Sequence, residues 1–407
     1  MFSEDGELLS FATIPKTAKS QPLPYTVSVP GEKVSELRQL LKLSKIGPAT
    51  FENLHANTKE GKFGITREWL INAKKEWETW EWRSCEDTLN AFPNYRMRIE
   101  DTDIHFLALF SERHDAVPVI LLHGWPGSIL EFLPLLSLMT QQYSPTELPY
   151  HLIVPSLPGY AFSSGPPLER NFAIADVARI MNNLMIELGF GDTGYVAQGG
   201  DVGSGVCRIL GAKHEESGLC IIINFCLMPQ PGGISKEALT FNERAGVERM
   251  KQFSDTSIAY ALEHGSRPAT IGLVLGSNPL SLLAWIGEKF LEWTDLPIPL
   301  SDILASVTLY WLTDTFPRAI CPYREGYGPE SIHHGTPSFN IPKPLGYSYF
   351  PKELAPVPIS WVATTGNLCW SRVHEKGRHF AVLERPEALK EDLEGFISKV
   401  WKGETDL

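Results

Sequence analysis

The 407 residues carry 48 acidic against 36 basic side chains, a formal net charge of −12, with 43% hydrophobic residues. That balance excludes a disordered chain and argues against nucleic acid or an anionic membrane as the main partner. The length suits one large α/β unit with a sizeable insertion. The six cysteines (Cys85, Cys207, Cys220, Cys226, Cys321, Cys369) form no C-x-x-C pair and no cluster with metal spacing. They read as thiols of a reducing compartment. The acidic start, Met1 to Glu7, lacks the basic and apolar regions of a signal peptide. No apolar run reaches the roughly 20 residues of a bilayer span. The expectation is a soluble, cytoplasmic protein.

Residues 1–110 show no strand–helix alternation and are expected to form a meander packed on a larger body. Pro22, Pro24 and Pro30 punctuate an extended opening, Val34 to Leu43 reads as a helix, and Trp69 to Trp82 has an aromatic, charged helical pattern. Residues 111–229 change to α/β alternation. Val117 to Leu122 is a buried-strand run ending at His123-Gly124-Trp125-Pro126-Gly127-Ser128, and His151 to Leu157 is another, closed by Pro158-Gly159. Ile174 to Leu188 keeps helical spacing, and Leu219 to Leu227 reads as a further strand. Residues 230–340, rich in Pro and Trp, read as a helical lid inserted into the sheet domain. The core resumes over 341–407: Tyr347 to Phe350, a strand over Pro358 to Thr365, and a closing helix.

The most informative stretch is Gly199-Gly200-Asp201-Val202-Gly203, between a strand-like run from Thr193 and a helix-like run to Leu210. In the α/β-hydrolase elbow, G-x-S-x-G lifts a serine onto a sharp strand-to-helix turn, with glycines where a Cβ would clash. Here the centre is Asp201, and no G-x-S-x-G occurs in the chain. A carboxylate held there attacks a saturated carbon and leaves an ester of the enzyme itself.

Such an elbow needs an acid and then a histidine later in the chain. His264, His333 and His334 fall inside the expected lid, leaving His374 and His379. His379, in Lys376-Gly377-Arg378-His379-Phe380, lies just before the last helix and is the preferred base. Glu353 follows the Tyr347–Phe350 strand and would orient it. Trp125, after the Val117–Leu122 strand, and Val202, after the nucleophile, would supply oxyanion-hole amides. Opening a three-membered ether also needs a proton donor, for which a phenol is suited. Tyr260, Tyr310, Tyr323 and Tyr327 are the candidates in the lid, and composition does not choose between them.

With these residues in view, the chain resembles the microsomal-type epoxide hydrolases, and most closely their soluble fungal members. Trp82-Arg83, Leu89-Asn90, Phe92-Pro93 and Ile104-His105-Phe106 are similar to that family's wrapping segment. The His123–Ser128, Pro155–Tyr160 and Gln198–Ser204 stretches match its core motifs. Arg267-Pro268, Ala284–Phe290, Phe316-Pro317-Arg318 and Tyr323-Arg324-Glu325 match its lid. The resemblance implies an α/β-hydrolase fold with a mostly helical lid and an N-terminal meander. It implies Asp201 as nucleophile, His379 as base, Glu353 as orienting acid and Tyr260 with Tyr323 as epoxide-oxygen donors. Trp125, Val202 and Leu354 would line the substrate pocket. Many members carry Trp where this chain has Val202, and some fungal relatives carry Asp where it has Glu353. A small-molecule epoxide is the implied substrate, with no metal or cofactor, and a homodimer the implied assembly.

Two alternatives compete. A haloalkane dehalogenase also uses an elbow aspartate, but needs N–H donors for its halide, which Val202 cannot add from a side chain. A non-catalytic binding protein of the same fold would have lost a triad member, and Asp201, Glu353 and His379 are all present.

Overall fold

Runs of Val, Ile and Leu bounded by Pro and Gly form the central strands of a nine-stranded sheet. The structure is a computed structural model that describes residues 10–56, 62–214, 217, 219–326 and 333–401. The strands are β1 (Leu23–Pro24), β2 (Asn94–Ile99), β3 (Thr102–Leu109), β4 (Val117–Leu122), β5 (Tyr150–Pro155), β6 (Val196–Gly199), β7 (Cys220–Ile223), β8 (Ile341–Tyr349) and β9 (Gly366–Val373). Their order is β1-β2-β3-β5-β4-β6-β7-β8-β9. The β1, β2, β3 and β5 pairings are antiparallel, and all later pairings are parallel.

Parallel strands are joined by crossovers that cover both faces of the sheet, so its central strands are largely apolar. Every residue of β4, β5 and β7 is buried. Neighbouring residues of β7 mark the two layers. Ile221 lies beside Gly211 of the helix Asp201–Lys213, while Ile222 and Phe396 of the helix Pro386–Val400 both lie beside Gly346. On the first layer, Ile174–Glu187 packs against Asp201–Lys213; on the second, Leu133–Gln142 packs against Pro386–Val400.

The sheet starts earlier than the sequence suggests. Residues 94–109, read as meander, are the hairpin β2–β3, with Tyr95, Met97 and Ile99 buried and Glu100 in a left-handed turn at φ 54°. The strand expected over Pro358 to Thr365 is instead the helix Ile359–Val362 followed by a 3-10 turn, and the strand is β9, beginning at Gly366. A short apolar run does not tell strand from helix. β9 pairs with β8 alone, and its exposed edge alternates in burial, so it lacks an apolar run. The stretch Trp69 to Trp82 divides into two helices, Arg67–Trp77 and Trp82–Asn90.

Between β7 and β8 the regular elements of the described residues are all helices, including Phe241–Thr256, Ala259–Ser266, Pro268–Leu275, Pro279–Glu292 and Leu300–Leu312. Tyr310 anchors this insertion by donating its hydroxyl to the Gly127 carbonyl at 2.8 Å. Among the described residues, no single helix is long and apolar enough to cross a membrane; the bent pair Pro268–Leu275 and Pro279–Glu292 passes that test only jointly, with a 114° break.

The chain leaves β4 toward β5 on one side and returns to β6 on the other. A crevice forms where such crossovers diverge, outside the carboxyl ends of the strands. Leu122 and Gly199 are register partners there, so the chain continuing from β4 and that continuing from β6 emerge side by side. A Cβ on Gly203 would lie 2.2 Å from the Leu122 carbonyl oxygen, so the helix approaches the strand only without one. Gly203→Ala should therefore lower stability by about 1–3 kcal/mol, the usual cost of overpacking. A urea midpoint equal to wild type would show that the backbone contact yields freely.

Candidate active site

The Asp201 side chain stands at the first position of the helix Asp201–Lys213, on a backbone with φ 45°. That left-handed conformation costs a non-glycine residue about 1–3 kcal/mol and persists only where the surroundings impose it. Gly199 supplies part of that constraint: a Cβ there would lie 2.4 Å from the Gly203 carbonyl oxygen. Gly124 supplies the rest, since its Cβ would lie 2.3 Å from Asp201 Oδ1. The glycines bring two loops together around one carboxyl group.

That carboxyl is held at both oxygens. The Trp125 amide donates to Oδ1 at 2.7 Å, and His379 Nε2 is 3.3 Å from Oδ2. The other ring nitrogen, Nδ1, is 2.7 Å from Glu353 Oε1, which also accepts the Leu354 amide at 2.6 Å. Glu353 and His379 leave the ends of β8 and β9 and are both buried. The edge of Trp293 packs on the His379 ring, with centroids 5.0 Å apart. His374, the other candidate base, is engaged elsewhere: its Nε2 meets Asp392 Oδ2 at 2.7 Å and its ring stacks on Phe350.

The loop after β4 is pinned by His123. Nδ1 bonds the Gly124 carbonyl at 3.2 Å, and Nε2 accepts the Leu157 amide at 3.2 Å. Burial lowers this ring to about 4, so it stays neutral and can hold both contacts. The Trp125–Pro126 peptide is cis.

The carboxyl opens into an apolar cavity of about 260 Å³, whose walls include Val202, Phe225, Tyr260, Tyr323 and Leu354. Tyr260 lies on the helix Ala259–Ser266 and Tyr323 on the turn Cys321–Arg324, with ring centroids 5.9 Å apart. Burial, with the Asp201 charge adding, raises the pKa of Tyr260, and burial followed by Tyr260 and Asp201 raises that of Tyr323. Both remain protonated donors. Tyr323 Oη is buried without a hydrogen-bond partner among the described residues. Tyr310 is committed to Gly127, and Tyr327 lies outside the described residues.

The Trp125 side chain departs from its expected position. It does not line this cavity; it stacks on Tyr260 at 5.4 Å and packs against His264 at 4.6 Å. Its amide, rather than its indole, reaches the site.

A network that the motifs did not reveal supports the elbow from below. Buried Arg208 donates to His334 Nδ1 at 3.2 Å, His334 Nε2 meets Ser204 Oγ at 3.1 Å, and Ser204 Oγ donates to the Asp201 carbonyl at 2.6 Å. Ser204 and Arg208 stand one turn apart on the helix Asp201–Lys213, but His334 comes from a distant segment, so no spacing announces the set. Glu131 at the neighbouring wall was more legible: Ser128-x-x-Glu131 is a capping-box pattern, and both of its bonds are present.

Burial opposes a charge on His379, but Glu353 and Asp201 outweigh it and raise the ring to about 10. Because the folded pKa exceeds the ordinary value near 6.5, the stability this pairing adds is complete below about pH 6.5. It is lost as pH rises through about 10. Nitrogen-15 NMR should find the His379 ring protonated well above neutrality. Glu353→Gln should bring its titration down toward neutrality. A wild-type ring titrating near 6.5 would show that the two carboxyls do not govern it.

Two family models match the chain: "Epoxide hydrolase N terminus" over residues 22–132 and "alpha/beta hydrolase fold" over residues 117–224. A "Putative epoxide hydrolase" of Dothistroma septosporum is 45% identical, covering 95% of this chain and 92% of its own. Epoxide hydrolase 1 of Oryctolagus cuniculus is 28% identical over 93% of this chain and 89% of its own. The solved Aspergillus niger epoxide hydrolase is 51% identical with a TM-score of 0.92, covering 96% of this chain and 100% of its own. With the elbow, the sheet order and these likenesses together, the chain belongs to the epoxide hydrolase family of α/β-hydrolase-fold enzymes.

Proposed function

We propose that this enzyme converts an apolar, aryl- or alkyl-substituted epoxide to a vicinal diol through a covalent ester on Asp201. The observation that carries the reading is one carboxyl gripped by the Trp125 amide and facing His379, at a cavity walled by two buried tyrosines and apolar side chains.

In the resting state His379 is an imidazolium between two carboxylates. Tyr260 and Tyr323 hydrogen-bond the oxirane oxygen while Asp201 Oδ2 attacks a ring carbon; the C–O bond of the ring breaks and a tyrosine protonates the departing oxygen. The tyrosinate is reprotonated at the expense of the imidazolium. Esterification removes the Asp201 charge, one of the groups that keeps His379 protonated, so the ring is neutral when a base is required. Water then attacks the ester carbonyl and gives a proton to His379 Nε2. Negative charge develops on Oδ1, where the Trp125 amide, joined by that of Val202, stabilises it by about 3 kcal/mol per donor. Collapse expels the diol oxygen, which takes the remaining proton of the attacking water, and restores the carboxylate–imidazolium pair. No cofactor or metal enters these steps.

The apolar walls and the volume of about 260 Å³ favour a compact apolar substituent such as phenyl. The resemblance adds a homodimer; light scattering after gel filtration should give twice the chain mass. A single turnover of styrene oxide in oxygen-18 water, with enzyme in excess, should label the Asp201 carboxyl and leave the diol unlabelled. Label in the diol would mean that water opened the ring directly. His379→Gln should accumulate an adduct on the Asp201 peptide, seen by mass spectrometry. Tyr323→Phe should lower the alkylation rate on the order of 10²-fold, the scale of losing one aimed donor; an unchanged rate removes that tyrosine from the chemistry.

A further inference from the structure

Asp201 borders a second cavity besides the apolar one. This space, of about 20 Å³, is walled by His379, Trp125, Glu131, Gln198 and Asn224 among others. Asp201 is the single residue common to the two linings. The volume suits one water molecule, which requires roughly 10–15 Å³ and a few polar partners. Those partners are present. Gln198 is 2% exposed, and its Nε2 donates to Asn224 Oδ1 at 3.0 Å, yet its Oε1 is buried with no partner among the described residues. Glu131 Oε1 accepts the Ser128 amide at 3.2 Å.

Glu131 also borders a surface pocket of about 370 Å³, with exposed Ser84, Thr88, Ser301 and Asp302 on its rim. It is the single residue common to that pocket and the small cavity. The apolar cavity lies on one side of the Asp201 carboxyl. A route past Glu131 reaches the ester from its other side.

The geometry points to the small cavity as the hydrolytic-water site, with Gln198 Oε1 and His379 Nε2 accepting the two water hydrogens and Glu131 as its portal from the surface. Gln198 and Glu131 are positioning residues for the second half-reaction only. The proposal rests on the Asp201 ester reading: bond formation is from the water oxygen to the ester carbonyl carbon, with one proton passing to His379.

Stopped-flow tryptophan fluorescence with excess enzyme separates alkylation from ester hydrolysis, and Trp125 and Trp293 lie close enough to the site to report both. Gln198→Met removes the orphan acceptor at similar length, and Glu131→Gln changes the portal while keeping an acceptor for Ser128. In either variant the hydrolysis phase should slow at least tenfold while alkylation stays within twofold of wild type. Hydrolysis at the wild-type rate in both overturns the water site. A parallel loss of both phases in Glu131→Gln, whose melting curve shows it folded, also overturns it, because that is what general loosening produces. Should Gln198→Met fail to fold, Glu131→Gln alone decides. Wild-type enzyme without an alkylation phase would instead refute the Asp201 reading.

Discussion

A carboxyl group on a left-handed backbone turn, with a histidine at one oxygen and an amide at the other, is the constraint on which the remaining architecture depends. The φ of 45° at Asp201 is imposed by the close approach of the elbow to β4. Only glycines at 124, 199 and 203 permit that approach, because a Cβ at each would fall within 2.4 Å of a neighbouring atom. The strain is a few kcal/mol at most, and the buried sheet beneath easily sustains it. In return the carboxyl needs no reorganisation to meet its donors.

Charge coupling follows from the same arrangement. Glu353, His379 and Asp201 form a chain in which one proton is shared out according to how many of the carboxyls are charged. Burial strengthens each pairing, since little water screens it. A ring raised to about 10 would be a poor base if its surroundings never changed. In the ester mechanism we propose, consuming the Asp201 charge in the first half-reaction makes the ring competent for the second. The neutral His123, lowered to about 4, contributes only geometry. Two histidines in one site thus take opposite roles, because burial dominates at His123 while paired carboxylates outweigh it at His379.

The site also divides by polarity. The insertion between β7 and β8 walls an apolar cavity, and the strand ends enclose a small polar one, with the Asp201 carboxyl as the wall between them. In the mechanism we propose, apolar substrate and water are therefore presented to one group from different directions. The indole of Trp125 belongs to neither role; it stacks behind Tyr260 and stiffens that wall.

Much of this was legible in the chain. Gly199 to Gly203 marks the elbow because that glycine pattern admits the turn, and the order aspartate, acid, histidine pointed to Glu353 and His379, which the structure brings together beside Asp201. The β2–β3 hairpin was legible too, in the alternation of Tyr95, Met97 and Ile99, but was masked by the surrounding helices of the meander. Other features could not be read at all. The edge strand β9 shows no buried run, since one of its sides faces solvent. Ser204 and Arg208 share a helix, but His334 reaches them from the turn before β8, and Gln198 and Asn224 come from β6 and the end of β7. Only packing brings these segments within hydrogen-bonding distance, and brings Glu131 to the same small cavity. Periodicity and local clashes are properties of neighbouring residues, so the sequence by itself determined the elbow and the α/β core. Which way the Trp125 ring turns, which tyrosines face the cavity and which side chains enclose the small cavity beside Asp201 depend on contacts between distant segments, so only the tertiary structure decided them.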